Sequence, residues 1–527
     1  MTIGSGKKEP LENSLQITAD LEKGDDTRPG QNAPQESEVK EYKSYIDNEE
    51  DVVASKGWFR IWLRTVEKAN VEGRGIERVK PEHRVPQSLW DGFTIWAAAN
   101  FTAATFATGC LGPIFGLGFW DSFAVIIITN FVFSWVVGLF GTFGPHTGLR
   151  QIVICRYSFG IWGSRLLVFL NLCSMVGWST VNSIAGAQIL KELSDSRCPL
   201  WAGNLVIGIL ATVVCFFGYF VIHQYERYSW IPQIIVLCFL AGYGAKHFDP
   251  SAAPMGHGSS EAAGVMSFLA TVYGFVAGWA INVADYNVRM PENTSKWKLV
   301  TTIWAGNFLG AGLTELLGAA FMSATAADAG LAAAYDENGV GGLMGEVLKP
   351  LHGFGKFLLV LMALSVVGCN IINNYSFAFA VQNLGGWALK VPRFIWTIVA
   401  SVIYIVFSIA GEENFAEILE SFLSIFGYYT TPFCIIIIVD HFYFRKTKYP
   451  LDDWDNMNVV PVGFAGISAI IMGFIGAVLS MDQTWYEGVV SRAIKPHGAE
   501  LGWIFSGLFA LVTFVPLRIF EIKYTGK

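Results

Sequence analysis

Three carboxamides, Asn370, Asn373 and Asn374, fall at helical spacing inside the apolar run 357–384, so Asn370 shares a helix face with the other two. Amides at mid-bilayer depth are costly unless they find partners. They carry donors and acceptors together, which suits a flat, neutral, heteroatom-rich solute better than an ion. The competing reading, that they bind neighbouring helices, would be preferred for one Asn alone. Trp178 and Asn182 form a second group at i and i+4, an indole and an amide pointing the same way. Trp279 follows Gly278 in a glycine-interrupted stretch. Two indoles lining a gap would sandwich a planar ring while the amides read its edge. Against this stands the commoner use of membrane tryptophans in interfacial belts and packing, and the chain holds 18 of them.

Ionisable groups inside apolar stretches are few. Glu226 lies between His223 and Arg227, Asp285 closes an Ala-Asp-Tyr segment within reach of Arg289, and Glu315 and Glu420 lie deeper. Each is a candidate proton carrier, and for each a structural pairing is the simpler account. Ser365, one turn before the amides, offers a hydroxyl to a cation or bonds back to its own helix. The eight histidines show no HxxxH or HExxH spacing and the eight cysteines no CxxC pair. No phosphate-cradling GxxxxGK[ST] loop exists. A metalloenzyme, a disulfide framework and direct ATP drive are therefore not expected, and neither is a cofactor. Asn100, Asn293 and Asn374 head glycosylation sequons, but in expected spans or on the cytosolic side, and are discounted.

The elements that must position these groups are membrane helices. At 527 residues with 15% charged residues and a mean hydropathy of +0.43, the chain reads as an all-α polytopic membrane protein. About twelve stretches have the length and apolarity of a span: near 92–115, 119–143, 162–190, 200–221, 228–246, 265–284, 299–324, 356–383, 393–411, 418–440, 460–480 and 500–518. The 55 glycines suit close helix approach. The net charge of −7 resides mainly in the tail and loops, and nothing resembles a basic nucleic-acid patch.

Residues 1–57 read as a disordered cytosolic tail, 58–90 as a cytosolic amphipathic segment, 91–522 as the transmembrane transporter domain and 523–527 as a short cytosolic tail. The amphipathic segment, with Trp58, Phe59, Trp62 and Leu63 against Arg60, Arg64 and Lys68, lies along the inner leaflet or packs on the transporter body. Short loops carrying Arg150, Arg156, Arg227, Arg289, Lys296, Lys390, Arg393 and Arg445 face the cytosol by the positive-inside rule, and an even span count keeps both termini there. Two spans look interrupted, the first by Thr108–Pro113 and the sixth by Gly274, Gly278 and Asn282. Interruptions five spans apart are the mark of inverted five-helix repeats with discontinuous first helices, though glycines also serve plain packing.

Leu111–Phe119, read Leu-Gly-Pro-Ile-Phe-Gly-Leu-Gly-Phe, resembles the first-span signature of fungal purine-cytosine permeases in the nucleobase:cation symporter-1 family. So do Gly148–Gln151 with Arg156 and Tyr157, Gly177 and Trp178 followed by Val181 and Asn182, Ala277–Trp279 with Ala284–Tyr286, Met290 with Pro291, and Asp452–Asn456. The resemblance runs from about residue 70 to the carboxyl terminus. It implies a LeuT-like fold of two inverted five-helix repeats plus two extra helices. The implied activity is proton-coupled uptake of purine bases and/or cytosine by alternating access, at the plasma membrane, with the proton preferred to sodium as coupling ion. By position, Trp178 and Trp279 resemble the ring-stacking residues, Asn182 the third-span amide that reads the base, and Thr105 a first-span hydroxyl. Glu226 matches an acidic residue important to the family, while Asp285 and Ser365 stay as coupling or gating candidates. Asn370 and Asn373 match part of an Asn-Asn-Ile-Pro-Asn pattern, but this chain reads Cys369-Asn370-Ile371-Ile372-Asn373. That form also resembles the vitamin B6 carrier branch, so a pyridoxine or other vitamin carrier is the alternative. A receptor or a channel built on the same fold are the rivals of a different class.

Overall fold

The computed structural model describes residues 76–527 apart from 86, 216–217, 254–255, 386, 389–390 and 495–497, and leaves the side chains of 218–226 undescribed. The expected tail 1–57 and most of the amphipathic segment therefore lie outside the described residues, as does the Glu226 side chain.

Each of the twelve expected stretches coincides with a helix or a broken pair of helices. The first span is α1 (Asp91–Asn100) and α2 (Ala103–Gly109). Then come α3 (Phe119–Gly141), α4 (Arg156–Leu193), α5 (Leu200–Cys215) and α6 (Gly218–Gly244). The sixth span is α7 (Ser259–Ala277), a 3-10 turn and α8 (Val283–Asn287). The rest are α9 (Lys296–Ala324), α10 (Ala329–Leu348), α11 (Gly353–Gln382), α12 (Arg393–Gly411), α13 (Phe415–Val439), α14 (Phe464–Ser480) and α15 (Gly502–Thr525). A two-residue hairpin, β1 (Asp482–Gln483) with β2 (Tyr486–Glu487), lies between α14 and α15. Among the described residues, seven helical stretches are individually long and apolar enough to cross a bilayer, one of them the 52-residue stretch that contains both α12 and α13. The chain is a multi-pass membrane protein.

The first span is broken earlier than its glycine and proline residues suggest. Phe101 (ψ 61°) and Thr102 (φ −127°, ψ 160°) leave the helical region, and the Thr102 hydroxyl caps α2 by accepting from the Thr105 amide at 3.3 Å. The Gly109–Pro113 stretch instead ends α2 and opens a 3-10 turn. In the sixth span the break is centred on Asn282 (φ −141°, ψ −3°), while Gly274 stays helical. A Cβ at Gly274 would overlap the Leu423 carbonyl, so the glycine there lets α7 and α13 meet backbone to backbone. Breaks five spans apart, each at residues whose backbone leaves the helical region, give the inverted-repeat architecture its two half-helix ends.

The helix α10 lies outside the twelve expected stretches. It follows α9 through a turn of 118° and is capped by Asp328, whose carboxylate accepts from the amides of Gly330 (2.8 Å) and Leu331 (3.2 Å). It packs on the end of α4, where Val340 N donates to Gln188 Oε1 at 3.1 Å. Its Asp336, Glu337 and Glu346 explain why periodicity alone did not mark it as a span.

The basic loops gather at one end of the bundle. Arg78 bonds Thr147 O (2.9 Å) and Asp452 (2.7 Å), Arg84 bonds Pro145 O and Met290 O, and Arg156 bonds Asp455 and Asn383. A buried charge cluster fastens the last spans at that same end. Asp440 accepts from Ser158 (2.9 Å), Arg445 (2.7 Å) and Arg518 (3.1 Å), and Arg518 also pairs with Glu521 (2.8 Å). Glu521 in turn receives the amides of Gly463 and Phe464 at the start of α14. Two carboxylates facing two guanidinium groups leave no net charge to bury, which is what such depth requires.

Candidate functional site

The expected substrate-binding residues lie on α2, α4, α11 and the break that follows α7, elements that meet one another and α13. Helix α4 supplies Trp178 and Asn182 on one face, and α11 lays its amide cluster against the same stretch. Asn370 Nδ2 donates to Ser183 Oγ (3.0 Å) and to the Ser179 carbonyl (3.3 Å), the residues that bracket Asn182. Asn370 and Asn373 are 0% and 2% exposed and Asn182 is 1% exposed. Burial this deep would normally go with complete pairing.

Pairing here is incomplete. Asn182 Nδ2, Asn373 Nδ2, Asn370 Oδ1, Asn282 Oδ1 and the hydroxyls of Ser179 and Thr180 are buried without a protein partner. Each such group costs roughly 1–3 kcal/mol, so a concentration of them marks a place where the protein holds hydrogen-bonding capacity in reserve. Donors and acceptors are mixed, as a heterocycle edge requires and an ion does not. Asn374, the third amide, is committed to structure through Ser401 Oγ at 3.2 Å.

The two tryptophans differ in role. Half-buried Trp178 stands in an aromatic box, edge-to-face with Phe275 and Phe422 (both 5.2 Å) and Phe426 (5.7 Å). Trp279 is buried, and its indole N–H donates to Asn100 Oδ1 at 3.0 Å while its ring meets Trp96 edge-on at 5.2 Å. Among the described residues no ring contact joins Trp178 to Trp279. Phe426 contacts Trp178 and lies against Gly278, the neighbour of Trp279.

The remaining candidates separate clearly. Thr105 is fully buried in the first turn of α2, with its hydroxyl 2.9 Å from that of Thr102. Asp285 accepts from the Gln151 amide at 2.8 Å and lies close to Arg150, which ties α8 to the short helix Gln151–Ile154. Ser365 donates to the Met362 carbonyl at 2.6 Å, bonding back to its own helix.

Sequence reasoning missed Asn100, seen only as a sequon. It receives Trp279, and its own Nδ2 donates to Asn307 Oδ1 (2.9 Å), whose amide reaches Ser134 Oγ (3.0 Å). An amide just before the break was the available signal. Phe422 and Phe426 were also missed, and two phenylalanines in a chain of 40 give no signal at all. Tyr286, whose hydroxyl donates to the Ile372 carbonyl at 2.9 Å beside Asn373, was seen only as part of a motif.

Residues 79–491 match the family of permeases for cytosine/purines, uracil, thiamine and allantoin. The chain belongs to this family. It is 38% identical over 472 residues to a purine-cytosine permease of Emericella nidulans, covering 88% of this chain and 91% of that one. It is 35% identical over 478 residues to one of Saccharomyces cerevisiae, covering 89% of each. A vitamin B6 transporter of Saccharomyces cerevisiae is 27% identical, over 88% of this chain and 90% of its own. Among solved structures, Mhp1, a nucleobase-cation-symport-1 family transporter in a closed conformation with bromovinylhydantoin bound, superposes with a TM-score of 0.66 at 16% identity. That match covers 85% of this chain and 95% of Mhp1. The likeness establishes the fold that the two broken spans imply, and the permease has the LeuT-like arrangement of inverted repeats followed by two extra helices, here α14 and α15. Those two pack on each other and on α13.

Proposed function

We propose that this permease carries a purine base or cytosine inward together with a proton, by alternating access across the plasma membrane, with both termini in the cytosol. One observation carries the reading: Asn182, Asn370 and Asn373, from two different helices, are each buried and each keep an unpaired amide atom beside the Trp178 box. A nucleobase offers the flat face for that indole and alternating donors and acceptors for those amides. Trp279, fixed by Asn100, and Thr105, at the start of α2, complete the walls at the two helix breaks. A pocket built on hydrogen bonds rejects analogues that leave its groups unpaired, so selectivity follows the edge pattern of the base. The names of the relatives support this substrate class, and the collection of basic loops at one end supports the orientation.

A vitamin B6 carrier is the second reading, favoured by Cys369 and Ile372 in place of an amide and a proline. The test is uptake of radiolabelled cytosine in transporter-null yeast at pH 5 and pH 7.5, with a protonophore and with excess adenine, hypoxanthine or pyridoxine as competitors. Saturable, protonophore-sensitive uptake blocked by adenine but not by pyridoxine is the expected result. Uptake of labelled pyridoxine with no response to cytosine would replace it with the second reading.

A further inference from the structure

One deeply buried carboxyl has no part in the site just described. Glu315, on α9, is 0% exposed, and its Oε2 accepts from Asn130 Nδ2 of α3 at 2.6 Å. Its Oε1 has no partner, and neither has Asn130 Oδ1. An ionised carboxylate at this depth without a cation costs several kcal/mol. A neutral carboxylic acid has a hydroxyl to donate instead of a second acceptor to bury.

Among the described residues no cation pairs with it. Helix α2, packed directly over Glu315, carries no charged residue, and the titratable groups beside it, the Cys110 thiol, 3.4 Å from the Gly318 carbonyl, and the Tyr335 hydroxyl of α10, are not cations. Helix α3 contributes Asn130, and its one charged residue, Asp121, lies about nine residues or 13 Å away along the helix. On α1 the one charged residue is Asp91, at the far end and paired with Arg227 of α6. Helix α6 meets α9 near its own end, at Gly244 and Phe321, where Lys246 and His247 follow and His247 is engaged by Asp328. Of the other candidate carboxyls with described side chains, Asp285 has an amide donor and an arginine nearby, and Glu420 is only partly buried.

The seal over Glu315 is made by the half-helix that moves in a broken-helix carrier. A Cβ at Gly109 would overlap the Glu315 carbonyl, and one at Gly318 would overlap that of Phe106, so α2 and α9 touch backbone to backbone at this level. The opposite end of α2 begins with Thr105 at the substrate walls. Rearrangement of α2 around a bound base therefore changes how Glu315 meets water.

The geometry points to Glu315, with Asn130 as its fixed partner, as the group that carries the coupling proton. This rests on the proton-coupled reading above. Oε1 takes a proton from hydronium, leaving water, while α2 is displaced. The neutral acid is then sealed, and the proton returns to water once the opposite side opens.

The test uses the full-length protein purified into liposomes, with radiolabelled cytosine as probe. The wild type should concentrate the label at least tenfold under an inward proton gradient. Glu315→Gln should still exchange internal for external label, with accumulation falling to a ratio near 1 and no dependence of rate on pH from 5 to 7.5. Glu315→Asp should accumulate label with a displaced pH midpoint. Accumulation by Glu315→Gln at the wild-type ratio overturns the assignment, and so does loss of exchange together with accumulation in a correctly folded variant. A wild type indifferent to the proton gradient refutes the coupling itself, which is a separate outcome. If both variants misfold, carbodiimide labelling of the wild type decides: modification mapped to Glu315 at pH 5 and falling with rising pH is expected, and its absence overturns the proposal.

Discussion

The indole N–H of Trp279 donates to Asn100 Oδ1 at 3.0 Å, across 179 residues of sequence. It joins the break of the sixth span to the last residue of α1. Asn100 passes the connection to Asn307 on α9 and so to Ser134 on α3. The half-helix ends of both repeats thus share one hydrogen-bonded chain, and the orientation of the Trp279 ring is set from the first span.

Replacing Asn100 by Ala should free that ring. A lost hydrogen bond of about 1–2 kcal/mol corresponds to roughly 5- to 30-fold, expected as a raised KM for cytosine uptake. Asn100→Asp keeps the acceptor but loses the donor to Asn307 and buries an unpaired carboxylate, so it should not recover the affinity. Initial rates normalised to surface protein decide, and wild-type KM for Asn100→Ala would contradict the role.

Asn182→Ala and Asn370→Ala should both abolish uptake without abolishing surface delivery, yet they should differ in stability. The Asn182 amide nitrogen has no protein partner to lose, so its removal leaves thermal stability unchanged or raised. Asn370→Ala also breaks the bonds to Ser179 and Ser183 and should cost about 1 kcal/mol. Melting of the two variants in detergent, beside uptake in cells, checks the pair.

Two glycine substitutions should have opposite effects. Gly274→Ala forces a methyl into the Leu423 carbonyl and should part α7 from α13, destabilising by about 3 kcal/mol or more. Gly242→Ala, where nothing lies within 4 Å, should be neutral or stabilising by up to about 1 kcal/mol through helix propensity. Thermal melting of the purified proteins measures both.

Arg518→Met should be severe, because it leaves two carboxylates, Asp440 and Glu521, with only Arg445 to balance them in a buried cluster where Arg518, Asp440 and Glu521 are at most 3% exposed. Breaking a buried pair from one side costs about 3–5 kcal/mol. The expected outcome is retention before the surface, with partial recovery when Asp440→Asn is added. Normal delivery of Arg518→Met would contradict the account.

Asp328 gives a pH signature. The hydrogen bond from His247 (2.5 Å), and after it the amides of Leu331 and Gly330, hold its carboxyl below the usual range. A carboxyl with a depressed folded value stabilises above the ordinary aspartate value of about 3.9 and loses that contribution as pH falls through the folded value. Asp328→Asn keeps the cap, since asparagine caps as well as aspartate, but loses the carboxylate that His247 pairs with; it should therefore melt lower than wild type at pH 6, and the difference should shrink as the medium is acidified below pH 4.

By itself the sequence determined where the helices are and that two of them break, because apolar length and helix-stopping residues act locally along the chain. It also determined that Trp178 and Asn182 share a face, and Asn370 with Asn373, since helical period settles that without any partner. It misjudged the first break, because Gly109–Pro113 marks where a helix must stop, whereas Phe101 and Thr102 leave the helix with no such residue to announce it. It missed α10, whose acidic residues are tolerated by a helix that folds back on α4. Only the tertiary structure decided which polar atoms pair. Asn100 meets Trp279 and Asn130 meets Glu315, 179 and 185 residues apart, whereas Ser365 bonds merely to its own helix. Such pairings depend on how separate helices pack, and no local pattern encodes the atoms left over when packing is complete.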